Sequence, residues 1–371
     1  MTTMTASLVS SSYDPQDVTY LLRAITPTFV TVEEKERLIQ SGQQHYGQLL
    51  SPERPPRDEY AALFEHTLER THALTAQHAV SMADFVAAAA RRHDLNSGAL
   101  AIVSLARGGT PIGVLVTRAL RALRGPCQHY GVSIVRDHGI DAAALDYIRA
   151  RHPDQAIFFV DGWTGKGVIA RELHRSVAAY NASRGSAVVG RLLVMSDPGA
   201  FAWASATPDD LLVPNAMLGA TISGLISRTV LPERPGDLHG AAFLADLAPH
   251  DVSTRFVDTV SAHFTDTALV DRARRTWHAP DPARRRSAAR FLHGVQLQYG
   301  KRPVNHVKPG VGEATRVLLR RAPERLLLRD LHAPNVQHLR ALAEAQRVPV
   351  ECRPDMPYGA CALIQSVDLD P

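Results

Sequence analysis

The chain has 371 residues, 41 Lys+Arg against 37 Asp+Glu, and 45% hydrophobic residues. That length admits two or three domains. The composition excludes global disorder, a collagen-like repeat and a disulfide-stapled mini-fold. Three cysteines, Cys127, Cys352 and Cys361, cannot build a disulfide framework, so a reducing cytoplasm is the expected setting.

No apolar run reaches the roughly 18 residues of a membrane span. The Thr/Ser-rich start, through Ser12, lacks the basic and apolar parts of a signal peptide and reads as a loose tail. Charge is unevenly spread. From Arg272 to Lys308 ten Lys/Arg face one acid, Asp281, a net +9 that leaves −5 for the remainder. Such a block suits a polyanionic partner; a solvated linker is the alternative.

In chain order, Val18, Leu21, Leu22 and Ile25 recur at helical spacing within Tyr13 to Leu50, and Thr31 with Glu34 resembles a capping box. Pro52, Pro55 and Pro56 interrupt the chain, and Asp58 to Arg92 is helical in pattern, with Ser81 as a restart cap. Short β-like runs then alternate with helices: strands at Leu100–Leu105, Val132–Val135, Ala156–Val160 and Val188–Met195, helices at Pro111–Leu123, Asp141–Arg151 and Val168–Ala182. This alternation predicts parallel βαβ units and an α/β core. Pro198 to Pro235 is irregular, and Asp251 to Ala273 is helical. A second β/α alternation follows Lys308, with helices at Thr315–Arg321 and Val336–Gln346 and strands at Arg325–Leu328, Val348–Cys352 and Cys361–Val367.

Two glycine loops follow predicted strands, at the strand ends where open α/β sheets bind ligands. In the first, Arg107, Gly108, Gly109 and Thr110 precede Pro111, which starts a helix. Paired glycines let backbone amides approach an anion, the helix start adds free N–H groups, and Arg107 adds charge. A turn that binds nothing is the alternative. In the second, Asp161 ends a strand and Gly162, Trp163, Thr164, Gly165, Lys166 and Gly167 lead into a helix. Amides and the Thr164 hydroxyl suit a phosphate, and Asp161 suits sugar hydroxyls or a hydrated metal. Lys166 is one of only four lysines in the chain, which makes it a candidate phosphate contact. A Walker A loop does not fit, because Val160 stands at the first glycine and Gly167 at the metal-binding hydroxyl.

Together these loops resemble type I phosphoribosyltransferases. More narrowly, the chain resembles a bacterial phosphoribosyltransferase-like family encoded beside tellurium-resistance and stress genes, whose members add a Pelota-type RNA-binding domain. The resemblance rests on Ile39 to Gly42 with His45-Tyr46, Leu105 to Pro111, Ser133 to Asp141, Asp161 to Gly167, Ser223 to Thr229 and His239 to Ala241.

It implies a parallel-sheet α/β core with a helical N-terminal extension (1–80), core and cap (81–270), a basic connector (271–300) and a small α/β/α Pelota-like domain (301–371). It also implies a glycosyltransferase that takes phosphoribosyl pyrophosphate or a related ribose phosphate, with Mg²⁺ carried by the pyrophosphate. Its products would be modified RNA or a nucleoside-like metabolite made under stress. Arg107, Gly108, Gly109 and Thr110 would take the pyrophosphate. Asp161 and Gly162 would face the ribose, and Thr164, Gly165, Lys166 and Gly167 the 5-phosphate. Such transferases usually carry two adjacent acids; here Gly162 follows Asp161. Asp137, beside His138, is a second catalytic candidate or a residue of a solvated turn. Ser223 to Thr229 suits an acceptor-base site or a structural cap.

Lys308 to Arg316 resembles the G-x-N-E-x-T-K stretch of kink-turn RNA-binding proteins. Gly310, Glu313, Thr315 and Arg316 match, and Gly312 replaces the Asn. By resemblance these five residues face structured RNA. A homodimer is compatible with the sequence, and no dedicated protein metal site is expected. Two other readings stay open: a non-catalytic RNA- or nucleotide-binding regulator, and a cysteine protease, a label the family also carries (StiP). Proteolysis needs a thiolate activated by a positioned base, and His129, two residues from Cys127, is no evidence of a dyad.

Overall fold

A computed structural model describes residues 7–30, 49–300 and 304–365. The capping box at Thr31 and the motif at Ile39 to Tyr46 lie outside the described residues. The architecture is mixed α/β with a parallel-sheet core. Its strands are β1 (Thr19–Tyr20), β3 (Ala101–Ala106), β4 (Gln128–Val135), β6 (Ile157–Trp163), β7 (Leu192–Ser196) and β8 (Ala204–Thr207), in the order β1-β4-β3-β6-β7-β8. All these neighbours run parallel. A short β5 (Gly139–Ile140) turns back antiparallel on β4, and β2 (Arg23–Ala24) pairs with β9 (Gly240–Ala241) away from the main sheet.

The helices that return the chain between strands are α2 (Thr110–Arg124), α3 (Ala142–Arg149) and α4 (Val168–Arg184). The apolar runs fill both faces of the sheet. Ile102 and Val160 pack on one side with Phe64 and Met82 of helix α1 (Asp58–Arg92), whereas Val103 and Phe159 pack on the other with Leu145 and Leu173. Burial on both faces explains why these strands read as continuous apolar runs.

Two expectations are corrected. Val18 to Ile25 forms no helix: Tyr20 is in β1 against β4, and successive Leu21 and Leu22, both fully buried, fall in the cores on opposite faces of the sheet. Alternation of that kind is a strand's period of two. Helix α1 also does not restart at Ser81. It runs unbroken from Asp58 to Arg92, with Ser81 buried and its hydroxyl accepting from Thr276 Oγ1 at 3.1 Å. Two further helices, α5 (Ser253–Ser261) and α6 (Thr267–Ala273), divide the stretch expected to be one.

The basic stretch is helix α7 (Pro282–Gln298), started by Asp281, whose carboxylate accepts from Ala283 N and Arg284 N. It buries Ala288 and Val295 against Val307 and Leu327 of the C-terminal sheet and Tyr358 just before its last strand. Its arginines do not form one phosphate-tracking row. Arg284 donates to Pro208 O and Arg285 to Ala200 O, each at 2.8 Å, which ties the helix to the core.

Beyond it, β10 (Val307–Pro309), α8 (Val311–Arg320), β11 (Pro323–Leu328), α9 (Gln337–Ala345), β12 (Val350–Cys352) and β13 (Ala360–Ile364) form a second sheet in the order β10-β13-β11-β12. It has its own core around Leu318, Leu328 and Leu339.

The two units meet at the loop after β6. A Cβ at Gly165 would lie 2.6 Å from Pro309 O, and at Gly167, where φ is +70°, 2.6 Å from the Phe201 Cβ. A Cβ at Gly108 would meet nothing within 4 Å. Gly165→Ala is therefore expected to lower unfolding stability by about 1–3 kcal/mol through backbone displacement, and Gly108→Ala by less than about 0.5 kcal/mol. Urea unfolding of the two variants measures the contrast, and equal midpoints would contradict this packing.

Candidate functional site

Strands β3 and β6 are neighbours, with Ser104 opposite Val160, so their two glycine loops emerge side by side at the carboxyl edge of the sheet. They open on a cleft of about 420 Å³. Arg107, Gly108, Asp161, Thr164, Gly165 and Lys166 of the expected set line it. Gly109, Thr110, Gly162 and Gly167 lie behind that lining and shape the loops. A Cβ at Gly109 would sit 2.9 Å from Val160 O and 3.1 Å from Asp161 Oδ1, so only glycine lets the first loop pass the second. Asn215 Nδ2 donates to Gly108 O at 2.8 Å and fixes the first loop from the opposite side. In the second loop, Thr164 Oγ1 accepts from Gly167 N at 3.1 Å. That hydroxyl thus ties the turn to the start of α4.

Asp137 does not join this cleft. It sits in an exposed turn with φ +68°, beside Arg171, Glu172 and Arg175 in a separate shallow depression. Ser223 and Arg228 do reach the cleft, but Thr229 accepts from Ser133 Oγ at 2.8 Å and Ser227 Oγ accepts from Ala242 N at 2.9 Å. Most hydroxyls of that segment therefore hold the fold together.

The far wall comes from the C-terminal domain, through Lys308, Pro309, Glu313, Arg316 and Arg320. Of the five residues expected to face RNA, Glu313 and Arg316 face this cleft, paired to each other at 3.1 Å. The others pack inward. Gly312 lies against Trp163 and Ala216, Gly310 against Asp210, and buried Thr315 donates to Val311 O at 2.8 Å. Of the residues that join the halves, sequence reasoning singled out Gly165 and Lys166 but missed Tyr358 and Asp210. Tyr358 Oη donates to Gly165 O at 2.8 Å and Lys166 Nζ to Val307 O at 3.0 Å. Asp210 accepts from Val311 N and Gly359 N, each at 2.8 Å. The one local signal for Asp210 was an acidic pair, Asp209-Asp210, followed at once by the apolar run Leu211 to Val213.

Arg107 is not waiting for an anion unengaged. It pairs with Glu53 Oε1 at 2.5 Å and donates to Ile226 O at 2.8 Å, although a guanidinium has further donors to offer. Burial pushes the Asp161 carboxyl up to about 7, against the Gly162 N–H at 2.7 Å and the Arg316 charge. Burial and the neighbouring Lys308 pull Lys166 down to about 8, and burial lowers Lys308 too. Among the described residues no group of three or more His, Cys, Asp or Glu is placed to hold a metal ion, and no helix is long and apolar enough to cross a membrane.

None of the three free cysteines lines the cleft. Cys127 is buried, its thiol near Thr117 O at 3.8 Å and pushed up to about 11 by desolvation; Cys361 is buried and pushed up to about 12. His129 does not serve Cys127. Its Nδ1 donates to Asp17 O at 2.7 Å and its Nε2 meets Ser104 Oγ at 2.8 Å. Cys352 is exposed at the end of β12.

Residues 11–261 match the family model described as tellurite-like stress resistance cysteine protease StiP, and residues 286–366 match the PELOTA RNA binding domain. A relative from Acinetobacter baylyi (strain ATCC 33305 / BD413 / ADP1), named cysteine protease StiP, is 36% identical over 374 residues, covering 96% of this chain and 94% of its own length. These matches overturn the expected phosphoribosyltransferase activity and the glycosyltransferase class with it. Both the family description and the relative's name give a cysteine protease. The stress-resistance and Pelota parts of the expectation agree with them.

The acidity of Asp161 is open to direct measurement. Its raised value means that the native state keeps a proton the unfolded chain has released, so this group's contribution to stability is lost as pH rises from about 4 through about 7. Carbon-13 spectra of aspartate-labelled protein are expected to show a carboxyl midpoint near 7 that disappears in Asp161→Asn. A midpoint near 4 would contradict the buried placement.

Proposed function

Because the chain belongs to the StiP family of tellurite-like stress resistance proteins, we propose that it serves stress resistance by capturing a phosphate-bearing small molecule in this cleft. The observation that carries the reading is convergence: the Thr164–Lys166 loop, Arg107 and the basic wall of the second domain all open on one cavity at the carboxyl edge of a parallel sheet. Protonated Asp161 accommodates an anion below about pH 7, and charged Lys166 attracts one below about pH 8. Both effects weaken capture as pH rises. The parallel core and its two loops support a phosphoribosyltransferase-type layout as architecture alone. The PELOTA match supports polyanion contact through the outer side of α7, where Arg286 and Arg290 are exposed. The three free thiols support a reducing, cytoplasmic setting.

A second reading follows from the family description: peptide hydrolysis by a cysteine. Cys352 is the exposed thiol and the one such chemistry would use, since thiols held near 11 and 12 stay protonated at neutral pH.

Calorimetric titration with inorganic phosphate separates the readings. Wild type is expected to bind with an affinity that falls above pH 7, and Lys166→Ala to bind roughly tenfold more weakly. Absence of binding to wild type would contradict anion capture. Peptide hydrolysis abolished by Cys352→Ser would establish the second reading, and unchanged hydrolysis in that variant would remove Cys352 as nucleophile.

A further inference from the structure

The cleft holds more positive charge than one phosphate can balance. Arg107, Arg136, Lys166 and Arg228 come from the core, and Lys308, Arg316 and Arg320 from the second domain, against Asp161, Glu313 and the Glu53 paired with Arg107. A phosphate monoester carries about −1.5 to −2 at neutral pH. The second domain's three cations are not gathered there by chance of the helix surface. Arg316 and Arg320 stand four residues apart on α8, so they share a face with Glu313, and Val317 and Leu318 point to the domain core instead. Arg320 is anchored through Met217 O, and Lys308 sits on β10 between Val307, which receives Lys166, and Pro309, which touches Gly165.

We propose that Lys308, Arg316 and Arg320 are ligand-binding residues, and that the C-terminal domain clamps a small molecule bearing at least two phosphate groups against the core loops. This rests on the anion-capture reading and names its substrate class and its specificity-determining residues. One phosphate meets the Thr164–Lys166 loop, and the other meets the α8 side. The cavity, at about 420 Å³, lies in the size range of small-molecule sites. Arg316 keeps donors free for this role, because a guanidinium has five N–H groups and Glu313 engages one nitrogen. Its side chain is 44% exposed, so its replacement does not open the core.

The experiment is calorimetry on the full chain with orthophosphate and then pyrophosphate, for wild type, Arg316→Gln and Lys308→Gln/Arg316→Gln. Pyrophosphate is expected to bind wild type at least about tenfold more tightly than orthophosphate. The double variant is expected to lose that preference while still binding orthophosphate. Pyrophosphate is also expected to raise the melting temperature of wild type more than that of either variant. Unchanged pyrophosphate affinity in both variants overturns the clamp and leaves anion capture standing. Failure of wild type to bind either anion overturns anion capture itself.

Discussion

Asp210 leaves the core just after β8, yet its carboxylate is committed entirely to the other domain. It accepts from Val311 N at the start of α8 and from Gly359 N before β13, each at 2.8 Å. Its backbone carbonyl accepts from Asn335 Nδ2 at 3.0 Å. Burial pushes this carboxyl up to about 6, so charging it in place costs free energy, and the backbone amides offset that cost. Removing the carboxylate would leave buried N–H groups unpaired, which costs more than the hydrogen bonds themselves contribute. With α8 held at its first turn, Arg316 and Arg320 face the β6 loop. β10 then lies where Lys166 and Gly165 can touch it. Without this contact the two glycine loops would line only half a cleft.

The sequence made the parallel core legible because its signals are local. Apolar runs such as Ile157 to Val160 are buried on both faces, and glycines at 109, 165 and 167 mark loops where backbone must turn or pass close. It failed where tertiary contact outweighs local pattern. Val18 to Ile25 has helical spacing, but pairing with β4 places Tyr20 and Leu21 in a strand environment. The basic block read as one surface, yet Arg284 and Arg285 are spent on core carbonyls and Lys308 on the cleft. The stretch from Gly310 to Arg316 was recognisable as a motif. No local rule shows which way a motif faces, and here most of it meets the core. Asp210 and Tyr358 were invisible because their partners lie 101 and 193 residues away in sequence.

The family membership and the site geometry constrain each other. The description of the family is proteolytic, while seven basic residues of this chain line a cleft that contains no thiol. Buried Cys127 and Cys361 pack as small apolar side chains within their cores. The groups with strongly shifted acidities at the cleft are Asp161 and Lys166 instead, and such shifts mark functional sites when they gather in a cavity. A composite cleft also explains why the second domain packs its motif inward. Of that motif, Glu313 and Arg316 are the two residues that line the cleft.

The dependence of the cleft on Asp210 can be read residue by residue through hydrogen exchange of the full chain and of Asp210→Asn. The carboxamide cannot accept from both amides, because one of its two polar atoms is itself a donor. Peptides spanning 163–167 and 307–320 are expected to exchange faster together, while those covering β3 and β4 keep wild-type protection. Wild-type exchange in both segments of the variant would contradict the account.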